Sequence, residues 1–160
     1  MQIITNISAH EKLMNEAFAE AGKSKCFKQQ VGAVIVKDGK ILTKGFNCPI
    51  GDFCQVCIRE KLNLHGGENA EICHAVHAEQ NAILEALNNQ IDINGATMYI
   101  AAIKKGEKRI HAKPYCTFCS RIIATTKLKE IIHYAGDKFI SYDPIEENKL
   151  ALENNIDNFL

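Results

Sequence analysis

Two short segments 39 residues apart carry the side chains best suited to chemistry, His77-Ala78-Glu79 and Pro114-Tyr115-Cys116-Thr117-Phe118-Cys119. One imidazole and two thiolates make a three-ligand set for zinc, with a fourth position left to water. Glu79, two residues beyond His77, is then a carboxylate placed to move protons rather than to bind metal. Zinc on two thiolates and a neutral imidazole is formally uncharged, so it acidifies water less than a site of three imidazoles would, and a carboxylate must share that task. The chemistry expected of such a set is hydrolytic: attack on an amidine-like ring carbon, with the carboxylate passing a proton to the ring nitrogen and later to the departing amine. The competing reading is a purely structural zinc, with Glu79 an ordinary acid near a helix start.

These groups can meet only if helix starts carry them. Residues two apart on a helix diverge, so His77 and Glu79 share a site only near a helix N-terminus, which the pattern places near His74. Cys116 and Cys119 are three apart, on one face of a turn, where the positive end of a helix favours thiolates. Around them, Ser8 and Glu11 form a capping box ahead of Leu13, Met14, Ala17, Phe18 and Ala21, a first helix that ends at Gly22. Residues 31–37 and 40–46 read as a β-hairpin turning at Asp38-Gly39. Ala78, Ala82, Ile83, Ala86 and Leu87 mark a second helix that ends near Asn88-Asn89, residues 97–103 a buried strand, and residues 116 to about 126 a third helix. Residues 131–134 suggest another strand and Phe139-Ile140 a further edge, before Asp143, Pro144 and Glu146 open a last helix. This alternation predicts a layered α/β domain with a mixed sheet.

With 160 residues and 46% apolar content, the chain is sized for one well-buried core, a single domain over 1–160. Nineteen basic residues balance nineteen acidic ones, which argues against nucleic acid or an anionic membrane as partner. The first residues lack a basic segment leading into an apolar run, and nothing approaches membrane-spanning length, so a cytoplasmic location is expected. Seven cysteines, an odd number, read better as metal ligands in a reducing compartment than as disulfides. Four of them, with Gly51, Gly66 and Gly67, fall in 47–73, a stretch without sustained periodicity that needs something other than a core to order it.

His-x-Glu followed by Pro-Cys-x-x-Cys is the signature of the zinc-dependent nucleobase deaminases. The chain resembles one branch of these, the deoxycytidylate deaminases, over roughly residues 8–135. The likeness is carried by Cys26, by 31–39 (Val-Gly-Ala-Val-Ile-Val-Lys-Asp-Gly), Gly45-Phe46-Asn47, Arg59-Glu60, Cys73, and 77–83 (His-Ala-Glu-Gln-Asn-Ala-Ile). The resemblance implies a three-layer α/β/α cytidine deaminase-like fold with a central mixed five-stranded sheet, and hydrolysis of dCMP to dUMP and ammonia. It implies that Asn47 contacts the sugar, that Ala78 and Tyr115 also lie at the substrate, and that the protein self-associates. It further implies a structural zinc on Cys26, Cys54 and Cys73, with Cys57 able to be the fourth ligand and the segment 47–73 a zinc-ordered insertion. It assigns nothing to Cys48 or His65.

The chain departs from the family where Cys48 replaces the Gly after the Gly-aromatic-Asn motif, where Tyr115 stands between Pro114 and Cys116, and at 125–128 (Thr-Thr-Lys-Leu), which lacks the usual Asn-Ala-Gly-Ile. These changes flank the pocket and bear on substrate more than on chemistry. Cytidine, guanine or a tRNA adenosine are thus the alternative substrates, and a non-catalytic zinc-stapled binding module the alternative class. A phosphate would meet Arg59, Lys61 or the basic run Lys104, Lys105, Lys108, Arg109 and Lys113, which otherwise reads as a solvated hairpin.

Overall fold

The computed structural model describes residues 1–4, 7–51, 55–64, 68–104 and 109–156. The elements run β1 (Gln2–Ile4), α1 (Ile7–Ala21), β2 (Gln29–Lys37), β3 (Lys40–Phe46), β4 (Cys48–Pro49), α2 (Ile58–Lys61), a 3₁₀ turn (Ala70–Ile72), β5 (Ala75–Val76) and α3 (Ala78–Asn88). They continue with β6 (Thr97–Lys104), β7 (Arg109–Ile110), α4 (Thr117–Thr125), β8 (Glu130–Tyr134), β9 (Phe139–Tyr142) and α5 (Pro144–Ile156).

The main sheet has the order β1-β9-β8-β6-β2-β3, with β7 paired to β6, so among the described residues it holds seven strands where five were expected. Only β6 and β8, joined through α4, run parallel; the other neighbours are antiparallel. The additional strands are β1 and β7, short pieces whose pairing depends on distant partners rather than on a local pattern. A separate two-stranded ladder, β4 with β5, ties Cys48 to Val76 and so fixes the chain just ahead of His77.

Strand alternation divides the core between two faces of the sheet. Ala33 and Ile35 of β2, Met98 and Ile100 of β6 and Ile131 of β8 pack with Ala82 and Ile83 of α3 and Ile123 of α4. Val34, Tyr99 and Ile132 face the other way, against Met14, Ala17 and Phe18 of α1. The result is the expected three-layer arrangement. Helix positions differ in detail from the sequence pattern. The first helix begins at Ile7, so Ser8 lies inside it, and α3 starts at Ala78 rather than near His74 because β5 occupies the preceding residues. Asp143 does cap α5, accepting from the N–H groups of Ile145 (2.8 Å) and Glu146 (3.3 Å).

Two glycines set how closely helices approach the sheet. A Cβ at Gly32 would lie 2.1 Å from the Ala17 carbonyl oxygen, and one at Gly45 would lie 2.4 Å from the Ala78 carbonyl oxygen. The second contact seats the first turn of α3 directly on β3. Asn81 reinforces it by donating from Nδ2 to the Phe46 carbonyl (2.8 Å).

Candidate active site

The first turns of α3 and α4 converge on one cluster. His77 is the N-cap residue of α3 in extended conformation, and its N–H donates to Gln80 Oε1 (3.0 Å). Cys116 is the N-cap of α4, its Sγ accepting from the Cys119 N–H at 3.3 Å. His77 Nδ1 stands 3.1 Å from Cys119 Sγ. One donor atom each from His77, Cys116 and Cys119 lies within 4.8 Å of the others, the only such His/Cys/Asp/Glu group among the described residues. Two sulfurs and an imidazole nitrogen at this spacing suit a borderline-soft divalent ion such as zinc.

The electrostatics of the cluster match that use. Hydrogen bonding from Cys119 brings the Cys116 thiol down to about 4, against burial and with help from His77. Cys119 is raised in turn, because its proton bridges to Cys116 and burial disfavours a second thiolate. Burial opposes charge on His77, yet Cys116 and Cys73 beside it push it up to about 11. Glu79 is raised by burial; His77 pulls it back, while Cys116 and Glu147 push it further up. A carboxyl raised in this way can hold a proton and return it nearer neutral pH than an exposed one.

All four groups wall one cavity of about 380 Å³. Ala78, Tyr115 and Asn47 wall it too. The Asn47 side chain is also a backbone clamp: Oδ1 accepts from the Val31 N–H (2.7 Å) and Nδ2 donates to the Gln29 carbonyl (2.8 Å). Cys26, Cys57 and Cys73 border the same cavity, and Cys73 hydrogen-bonds to His77. Cys54, His65, Lys105 and Lys108 lie outside the described residues. Of the remaining cations weighed from sequence, Arg59 and Lys113 border the cavity, whereas Lys61 and Lys104 are exposed elsewhere and Arg109 lies over the Phe18 ring, donating to Asn15 Oδ1 (2.8 Å).

Sequence reasoning passed over Lys28, His111, Ser120, His133 and Glu147, which also wall the cavity. The only signal for His133 was a polar residue at an inward position of an otherwise apolar strand; Glu147 resembled any acid in a first helical turn.

Residues 7–135 match the family described as the cytidine and deoxycytidylate deaminase zinc-binding region. The deoxycytidylate deaminase of Mycobacterium phage D29 is 32% identical over 130 residues, covering 77% of this chain and 91% of the phage protein. The deoxycytidylate deaminase of Saccharomyces cerevisiae is 30% identical over 149 residues, which cover 88% of this chain but only 40% of the yeast protein. Among solved structures, the dCMP deaminase of cyanophage S-TIM5 in complex with dCMP and dUMP superposes with a TM-score of 0.57 at 25% identity, covering 81% of this chain and 82% of that one. A cytidine deaminase from Burkholderia pseudomallei shares the fold at a TM-score of 0.59 and 18% identity, with 86% and 94% coverage.

Proposed function

The chain belongs to the cytidine and deoxycytidylate deaminase family, and on that premise we propose that it deaminates a cytosine nucleotide hydrolytically, converting dCMP to dUMP and ammonia. The observation that carries this reading is the cluster itself, three zinc-type donors within 4.8 Å of one another beside Glu79 in a nucleotide-sized cavity. Zinc held by His77, Cys116 and Cys119 would supply the Lewis acidity that activates water at the ring carbon. Glu79 takes a proton from the attacking water, delivers it to the adjacent ring nitrogen, and carries a second proton to the amine as the C–N bond breaks. Ammonia leaves and the ring keeps an oxo group. Asn47, through the amide hydrogen its clamp does not use, is our candidate for the sugar, with Ala78 and Tyr115 flanking the base.

Arg59, Lys28 and Lys113 are the cations at the cavity suited to the phosphate. The reading includes a second zinc on Cys26, Cys57 and Cys73 with Cys54, ordering 47–73 within a single domain, which a stoichiometry of two zinc ions per chain would support. Self-association is part of it as well: α3 leaves Leu84 and Leu87 exposed, and α4 leaves Phe118 and Ile122 exposed. No helix among the described residues is long and apolar enough to cross a membrane, and a cytoplasmic enzyme with free thiols is the reading we adopt.

The test is ammonia release from dCMP, CMP and deoxycytidine by zinc-loaded protein. dCMP should turn over fastest, removal of its phosphate should slow turnover at least about tenfold, and Glu79→Gln should lower the rate by about 10²–10⁴-fold with zinc retained. A zinc-loaded protein inert toward dCMP would refute the assignment.

A further inference from the structure

A second buried carboxylate reaches the same cavity from α5. On β8, Ile131 faces α3 and α4 while Ile132 faces α1, so alternation turns His133 toward the helices that carry the cluster. There its Nε2 lies 2.7 Å from Oε1 of Glu147, on the first turns of α5. The Tyr142 ring meets the imidazole edge-on, with centroids 5.3 Å apart, which holds the ring in place. Both side chains of the pair are almost wholly buried, 3% and 4% exposed, yet both wall the cavity. Among the described residues, each keeps one polar atom without a hydrogen-bond partner, Nδ1 of His133 and Oε2 of Glu147. Buried polar atoms in native proteins are nearly always paired, so two orphans on one cavity wall point to a ligand.

Which ligand group they meet follows from charge and chemistry. Ser120, next to Cys119, donates to Asn148 Oδ1 (3.0 Å), next to Glu147, so α5 brings Glu147 to the same cavity wall as Cys119 and Glu79. An ionised carboxylate oxygen accepts hydrogen bonds and cannot donate them. At its reacting carbon, an aminopyrimidine presents N–H donors; its deaminated product presents a carbonyl lone pair at the same place.

We infer that Glu147, oriented by His133, accepts a hydrogen bond from the amino group about to be removed and thereby selects the amino base over its oxo product. The inference rests on the cytosine-nucleotide reading above. Glu147 meets the substrate, whereas His133 is a positioning residue that occupies Oε1 and leaves Oε2 for the ligand. Residue 147 also lies beyond residues 7–135, the stretch matched by the family, so the shared pattern assigns it nothing. The same contact would favour product release, since the acceptor faces an acceptor once the oxo group has formed.

Calorimetric titration of zinc-loaded Glu79→Gln protein with dCMP and with dUMP tests this without turnover. The parent should prefer dCMP. Adding Glu147→Gln should weaken dCMP about tenfold and leave dUMP within about twofold or tighter, because a donor-bearing amide can now face the oxo group. His133→Gln should produce the same dCMP-selective loss at smaller size. Equal weakening of both ligands, or none, would reduce the pair to a packing role and overturn the inference. If Glu147→Gln does not fold, Glu147→Asp, which keeps the charge and withdraws the oxygen, is read in the same way. A parent that binds deoxycytidine-type and uridine-type nucleotides equally would overturn the selection argument alone; a parent that binds neither would sink the substrate reading, and this inference with it.

Discussion

Gly45 faces the carbonyl of Ala78 so closely that a Cβ at position 45 would sit 2.4 Å from that oxygen and 2.5 Å from the Ala82 nitrogen. Both neighbours are backbone, so neither can swing aside. Because Ala78 lies between His77 and Glu79, any shift of this turn moves the proposed metal ligand and the proposed proton carrier together. Gly45→Ala should therefore lower stability by about 1–3 kcal/mol and reduce the zinc retained after dialysis. Gly22→Ala, whose added Cβ would meet only ordinary contacts at 3.5 and 3.7 Å, is the control and should change neither. Thermal unfolding and metal analysis of both variants make the comparison.

Zinc binding should be strongly pH-dependent, and its sign follows from the cluster. His77, pushed up to about 11, and Cys119, also raised, both carry protons at neutral pH, while Cys116 at about 4 has already lost its own. Ligation requires a neutral imidazole and two thiolates, so uptake must release protons, up to about two per ion. Apparent affinity should climb between pH 6 and pH 8. Competition with a chromophoric chelator across that range measures the slope; a flat profile would contradict the protonation pattern.

Asn47 clamps the backbone and, in the reading proposed above, also meets the sugar; substitution tests both. Asn47→Ala strands the Val31 N–H and the Gln29 carbonyl, at a cost of about 1–3 kcal/mol in chemical denaturation. Asn47→Asp keeps the acceptor for Val31 but sets a buried carboxylate oxygen against the Gln29 carbonyl, so it should lose at least as much stability and also raise KM for dCMP. Equal KM for Asn47→Asp and the parent would remove Asn47 from the substrate.

Tyr99 gives an alkaline signature on the opposite face of the sheet. Burial, aided by the charge of Glu130, pushes its phenol up to about 12, and His10 Nδ1 lies 2.8 Å from its hydroxyl. An unfolded tyrosine ionises near 10. Since the folded state holds the proton more tightly, this contribution to stability is intact below about pH 10 and fades as pH rises toward about 12. Tyr142 is also raised by burial, so absorbance titration should find late tyrosines of which one is absent from Tyr99→Phe, and that variant should lose less stability over the same interval.

What could be read directly from the chain was what depends on near neighbours. Asp38 and Gly39 both take positive φ, 51° and 74°, as the hairpin turn between β2 and β3 required, and Asp143 caps α5 as its spacing suggested. The clustering of His77, Cys116 and Cys119 was legible because two short motifs encode it. The β1, β4, β5 and β7 strands were not, since two- or three-residue strands have no periodicity to display and are defined by partners far away in sequence. Cys73 shows the same limit. It stands four residues before His77, and the intervening β5 brings its thiol back to hydrogen-bond with the His77 imidazole. The His133–Glu147 contact, across 14 residues and two elements, is set by the packing of α5 on α4 and β8, which no local pattern announces.

The position of α5 divides the pocket in two. His77, Glu79, Cys116 and Cys119 come from residues 7–135, the stretch matched by the family, whereas part of the wall comes from α5, beyond it. If Glu147 reads the base as inferred above, substitutions on α5 should retune which base is accepted while the His77, Cys116 and Cys119 cluster and Glu79 keep their places.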